Sequence, residues 1–314
     1  MGFLTKYGTP WGAIPMTAGR IFWVAPAASY TVDGRAYSAS DDNDGLSPER
    51  ALLTVARAWA LVTADVGDTI LLLPGTHTVS TASVAASTAG VSMIGLPYYP
   101  GTGLVPLSPQ ACITTDVTAD QIMNLTAARI EIANVTIRPI TAASGIDLTS
   151  AASQTWIHDC RIDFSTPTVS AATYGISVLG NAQFSKFENI YVDCDGAQGA
   201  ALALHLITDS VVRNWEVHQS AGTWVSAIMV EQGARRVSID RCRFLCAGTA
   251  MTQAIDGLRA DGTPSAYITD CRFSRLVTKG VDGFGANEAE LSENYLGYNT
   301  ARDNIEATLI SVIT

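Results

Sequence analysis

The chain has 314 residues, 47% of them hydrophobic and 15% charged, which is enough apolar material for a sizeable core and excludes a disordered segment. Its 19 Lys and Arg against 29 Asp and Glu give a formal charge of −10, which argues against a surface that tracks nucleic-acid phosphates. No apolar run approaches the roughly 18 residues of a spanning helix, and no basic segment leads into an apolar stretch at the start. A soluble, unprocessed chain without a membrane partner is therefore expected.

Residues 1–36 carry Gly, Pro and the aromatics Phe3, Tyr7, Trp11, Phe22 and Trp23, and do not share the pattern that follows. They read either as an extended arm or as a cap folded over the first coil. The run Ser38 to Glu49 comes next, with Asp41, Asp42 and Asp44. It lacks the Gly at position 6 and the Glu at position 12 of a helix-loop-helix calcium site, so a capping turn is expected. Ser47 before Pro48 suits a helix start, and a capping helix is expected near 48–62. Gly67 to Thr76 then reads as strand.

From there a repeat organises the chain, which decides the architecture. Short segments align at Ile132–Ile137, Ile157–Ile162, Phe187–Val192, Val212–Val217, Ile239–Phe244 and Ile268–Phe273, with a weaker one at Ser292–Gly297. Their third positions are Asn134, Asp159, Asn189, Asn214, Arg241, Asp270 and Asn294, spaced by 25, 30, 25, 27, 29 and 24 residues. A second strand precedes most of them, at Ile146, Ile176, Ile228, Ile255 and Val281. Alternation within each strand then stacks equivalent side chains about 4.8 Å apart, and puts Cys160, Cys242 and Cys271 in one column. An antiparallel sandwich would show hairpin turns but no matched columns. The recurring Asn or Asp suits a tight bend and is read as structural. The six cysteines read as free buried thiols rather than disulfides or zinc ligands.

The Asn43–Glu49 turn, the capping helix and the Gly67–Thr76 strand resemble the start of pectate-lyase-like right-handed parallel β-helix proteins, and the similarity continues through the coils to about residue 298. Among these the chain looks most like β-helical proteins of tailed bacteriophages, particularly head decoration proteins. The resemblance implies an all-β, single-stranded, right-handed β-helix over 37–298 and a homotrimer standing on the capsid. Residues 299–314, apolar and β-prone, read as a terminal strand that covers the last coil or pairs with a neighbouring subunit.

Such folds often host carbohydrate enzymes, and one pair of carboxylates is a candidate for that chemistry. Asp256 and Asp282 occupy equivalent positions on consecutive coils, where their carboxylates would lie roughly 5 Å apart, as in a retaining glycosidase, with Glu231 flanking. Asp-Gly is also an ordinary turn dipeptide. The family's polygalacturonase-like motifs do not map onto this sequence. Arg259 and Arg272 are lyase bases by type only, and His77, His158, His205 and His218 lack a Ser or Cys partner at a recognisable elbow. No enzyme, cofactor or metal is expected. The reading is a virion protein, made in the host cytoplasm and placed on the capsid exterior, that binds the major capsid protein through Phe3, Trp11, Phe22 and Trp23. The alternative is a tailspike-like glycan-binding protein or a polysaccharide-degrading enzyme.

Overall fold

The computed structural model describes residues 18–96 except 33 and 81, then 111–116, 121–139, 144–164, 174–194, 200–219, 226–246 except 232, 251–257, 266–274, 277–282, 289–292 and 295–296. These residues build a parallel β-solenoid of ten-, nine- and eight-stranded sheets, with a small two-stranded hairpin attached. Each coil visits the three sheets in that order. One such coil is Trp156–His158, Arg161–Phe164 and Tyr174–Val178, and the chain then returns to the ten-stranded sheet at Lys186–Glu188.

Registers follow the expected columns. Ile132, Ile157, Phe187, Val212, Ile239 and Ile268 stack in the ten-stranded sheet, and Ile146, Ile176, Leu202, Ile228 and Ile255 in the eight-stranded one. All of these are buried, and they form one continuous core. Cys160, Ile190, Trp215, Cys242 and Cys271 take the corner just after the bend and are fully buried, and all six cysteines are free.

The bend itself explains the recurring Asn and Asp. Asn134, Asp159, Asn189, Asn214, Arg241 and Asp270 all have left-handed backbone, with φ between 47° and 55°. Their side chains also bond between coils: the Asn214 amide donates to Asn189 Oδ1 at 2.9 Å, and the Asn189 amide to Asp159 Oδ1 at 3.0 Å. A second left-handed column, Arg129, Gln154, Phe184, Asp209 and Arg236, lies one or two residues before the ten-stranded sheet's strands that start at Glu131, Trp156, Lys186, Val211 and Val237. Its residue types share nothing. Backbone bonds run through it, as Gln154 N–H donates to the Gln183 carbonyl and Phe184 N–H to that of Thr208, and the Arg236 guanidinium donates to Asp209 one coil back.

The first 36 residues need correction. Ile21–Val24 is not outside the repeat: it pairs in parallel with Thr69–Leu72 as the first strand of the ten-stranded sheet. Phe22 enters the main core. Trp23 points the other way, into a smaller core formed with Tyr30, Val32, Leu71, Ile94 and Ala133. The antiparallel hairpin Ser29–Val32 with Arg35–Ser38 supplies this lid. The Tyr30 hydroxyl anchors it, donating to the Pro48 carbonyl and accepting from Ala51 N–H.

The expected helix over 48–62 is two pieces. Pro48–Arg50 is a single 3-10 turn with no side-chain cap from Ser47, and the α-helix is Val55–Leu61. Between them Leu52 is drawn into extended pairing with Val24, which breaks the helix. Thr54 is the true N-cap, accepting from Arg57 N–H. Asp41 supports that end by accepting from the Leu53 and Thr54 amides and the Thr54 hydroxyl, so the acidic run is a capping turn. Val55, Ala58 and Trp59 are buried over the first coil.

Candidate functional site

Outward positions of the eight-stranded sheet form a column of Asn124, Asp147, Ser177, Ala203, Met229, Asp256 and Asp282. Asp256 and Asp282 are register partners on consecutive coils, as their spacing suggests. The Asp282 side chain lies outside the described residues. Asp256 is only 4% exposed, and its Oδ2 accepts from the Ser226 hydroxyl at 3.0 Å. Glu231 lies two residues beyond Met229, the register partner of Asp256, and so flanks the pair by one coil. Its carboxylate is 3.3 Å from His205 Nδ1. Burial raises the pKa of the nearby Tyr174 phenol, and the charge of Glu231 adds to the effect.

Asp147 lies on the same face, four rungs from Asp256. At about 4.8 Å per rung that is roughly 19 Å, too far for a two-carboxylate mechanism, which needs about 5 to 9.5 Å. Burial pushes the Asp147 carboxyl up against an opposing bond from Ser144, and its Oδ1 has no hydrogen-bond partner. The face therefore holds a carboxyl that burial makes harder to ionise at one level and a hydroxyl-bonded, closed-over carboxyl at another.

A different cluster escaped sequence reasoning. On the ten-stranded sheet, His158 Nε2 lies 3.0 Å from Glu131 Oε1 and its Nδ1 lies 2.9 Å from Asp159 Oδ2. With a carboxylate on each ring nitrogen, the imidazolium satisfies both bonds and the neutral ring only one. Burial lowers its pKa, but bonds to Asp159 and Glu131 outweigh that and the net shift is upward. The Glu131 pKa is lowered, chiefly by His158. Trp156 stacks on the imidazole at 3.8 Å. The only signal was His158 itself, since Glu131 is 27 residues away in the chain.

The remaining candidates disperse. Phe22 and Trp23 are 2% and 5% exposed, so they are core residues and not capsid anchors. Phe3, Trp11 and Arg259 lie outside the described residues. Arg272 stands on the nine-stranded sheet in register with Arg243, away from the acidic column. Among the described residues no three His, Cys, Asp or Glu side chains gather closely enough to hold a metal ion. No helix there is long and apolar enough to cross a membrane.

Neither a protein-family model nor a curated protein matches the chain. Solved structures do. A rhamnogalacturonan lyase aligns with TM-score 0.54 and 14% identity, over 90% of this chain and 75% of its own. The pectin methylesterase from Aspergillus niger aligns with TM-score 0.56 and 13% identity, over 95% and 91%. Pectin methylesterase PemA from Erwinia chrysanthemi aligns with TM-score 0.55 and 10% identity, over 95% and 96%. At these identities the likeness shows the fold alone. It overturns the expectation that sets the chain apart from enzymes: these three proteins, which share its architecture over 90–95% of its length, are a lyase and two methylesterases. The chain has a pectate-lyase-like right-handed parallel β-helix fold.

Proposed function

We propose that the chain is a structural protein of a tailed-phage virion that decorates the head as a homotrimer, binding the major capsid protein on the particle exterior. The observation that carries this reading is the unbroken core running from Phe22 to Val277. It makes the described chain a stiff rod whose first coil is closed by the Ile21–Val24 strand and the Val55–Leu61 helix. The resemblance of a short chain with an aromatic N-terminal segment to β-helical proteins of tailed bacteriophages supports the same reading. Phe22 and Trp23 belong to the rod, so the anchors are sought in Phe3 and Trp11, which precede the Ile21–Val24 strand in the sequence. A protein that binds only the assembled lattice stabilises that lattice by mass action. Purified protein should be trimeric by mass photometry and bind undecorated capsids saturably, and deletion of residues 1–17 should abolish binding while leaving the rod folded. A monomer that ignores capsids would defeat the proposal.

A second reading is favoured by the Asp256–Asp282 register: a polysaccharide bound, and cut, along the eight-stranded face. A screen of polysaccharides with Asp256→Asn and Asp282→Asn as controls tests it. Cleavage lost in both variants supports it, and cleavage unchanged in both removes the pair from the mechanism.

A further inference from the structure

We propose that copies of this chain associate through the edge where the eight-stranded sheet turns into the ten-stranded one, at Leu179, Phe184 and Leu206 with the adjoining Trp156. The inference rests on the homotrimer part of the proposed function and does not need capsid binding.

Two residues on this edge work against the fold of a lone chain. Among the described residues thirteen non-glycine residues have left-handed backbone, and Phe184 and Leu206, at φ 55° and 54°, are the only apolar ones. A bulky side chain gains nothing from that backbone, whereas Asn tolerates it, as at the bends of Asn134, Asn189 and Asn214. Burial does not offset the strain, because Phe184 is 54% exposed and Leu206 40%. Apolar residues that are both strained and exposed point to a contact that the lone chain lacks.

Register gathers the rest of the patch. Val178 pairs with Leu204, so Leu179 lies one rung from His205 and beside Leu206. Trp156 pairs with Lys186, two residues beyond Phe184. Leu206 lies across the next coil at Gly233, where a Cβ would meet its Cδ2 at 2.5 Å. The Trp156 ring is held by His158 beneath it and by its bond to Glu188, so it loses little freedom on association. The exposed parts of these four side chains total roughly 400 Å², about half of what one partner buries in a stable interface. An aromatic-centred apolar core with a polar rim has that proportion.

Charge identifies the occupant. The four turns that carry the edge, 151–159, 179–189, 205–214 and 231–241, hold five Asp or Glu and five Lys or Arg. The acid excess that gives the chain −10 therefore lies elsewhere. Copies of an acidic chain repel one another, so they meet best where the local charge cancels and apolar area is exposed. A basic partner would instead be drawn to the acid-rich surfaces. An edge that runs along the solenoid can also meet its own copies about a parallel axis, as a cyclic trimer requires.

Sedimentation velocity of the intact chain over a wide concentration range tests this, and wild type should be a trimer. Leu179→Asp places a carboxylate on the edge without touching the left-handed positions, and should raise the dissociation constant about a hundredfold or more. Phe184→Asn combined with Leu206→Asn should do the same. Val66→Ser, at an exposed apolar residue beyond the Val55–Leu61 helix, should leave association unchanged. Adding the two Asn changes to Leu179→Asp should leave the monomer melting no lower, since Asn suits that backbone. The proposal is overturned if either set of edge variants stays associated like wild type, if Val66→Ser dissociates equally, or if the Asn changes lower the monomer melt. A wild-type chain that is monomeric at every concentration overturns the homotrimer reading as well, whereas association retained in the edge variants overturns the edge alone.

Discussion

The outer face of the ten-stranded sheet changes character along the solenoid. In the first coils its outward column is Trp23, Leu71, Ile94 and Ala133, and a hairpin covers it. One rung on, the same column becomes His158, buried beneath Trp156, and then the partly exposed Glu188, Arg213 and Asp240, held by ion pairs. Backbone and register are continuous across the change, so the outward residue types alone decide whether the face needs a lid. Apolar outward residues are stabilised by burying area at about 25 cal/mol per Å². Exposed ion pairs contribute at most about 1 kcal/mol each. The lidded end should therefore be the more sensitive of the two to single substitutions.

The largest difference should come from Trp23→Ala. Removing this buried indole from the smaller core should cost about 3 to 5 kcal/mol and expose the amides of Ser29–Ser38 to hydrogen exchange. Exchange confined to global unfolding would break the distinction between lid and rod. Next is the bend, which both halves share. Asn189→Ala removes two inter-coil bonds and places alanine at φ 55°, which should cost about 1 to 3 kcal/mol in urea denaturation. Asn189→Gly should recover part of the loss, because glycine tolerates that backbone. If the two variants are equally destabilised, the left-handed strain is not a component.

The smallest effect is a pH dependence confined to the open half. His158 has a raised folded pKa, so its contribution is complete below its unfolded value near 6.5 and is lost as pH rises through the folded value. Glu131 has a lowered pKa, so its contribution is present above about 4.5 and is lost as pH falls through its folded value. Thermal melts should therefore show stability falling as pH rises above about 6.5, and His158→Gln should flatten that limb. An unchanged limb would mean the imidazolium bonds contribute nothing net.

The repeat was legible because its two strongest signals are local. The left-handed bend selects Asn or Asp, and inward β-branched residues recur at a nearly constant interval. What escaped depends on distant partners. Ile21–Val24 pairs with a strand 48 residues later, across the hairpin, the capping turn and the helix, so the coil interval is stretched past recognition. The second left-handed column leaves no mark because its residues, among them Arg129, Gln154 and Phe184, share no side-chain type, while each of these three donates its N–H to a carbonyl on the next coil. At the candidate site, the Asp256–Asp282 register was readable from spacing. The burial of Asp256 against Ser226 and the Glu131 half of the clamp on His158 were not, since each of these partners sits a full coil away.

The most direct test of the decoration reading is cryo-electron microscopy of undecorated capsids incubated with saturating protein. The account predicts rod-shaped density with three-fold symmetry standing on the lattice at the end where the Ile21–Val24 strand and the Val55–Leu61 helix close the solenoid. Bare capsids at saturating concentration, or a rod attached by its opposite end, would contradict it.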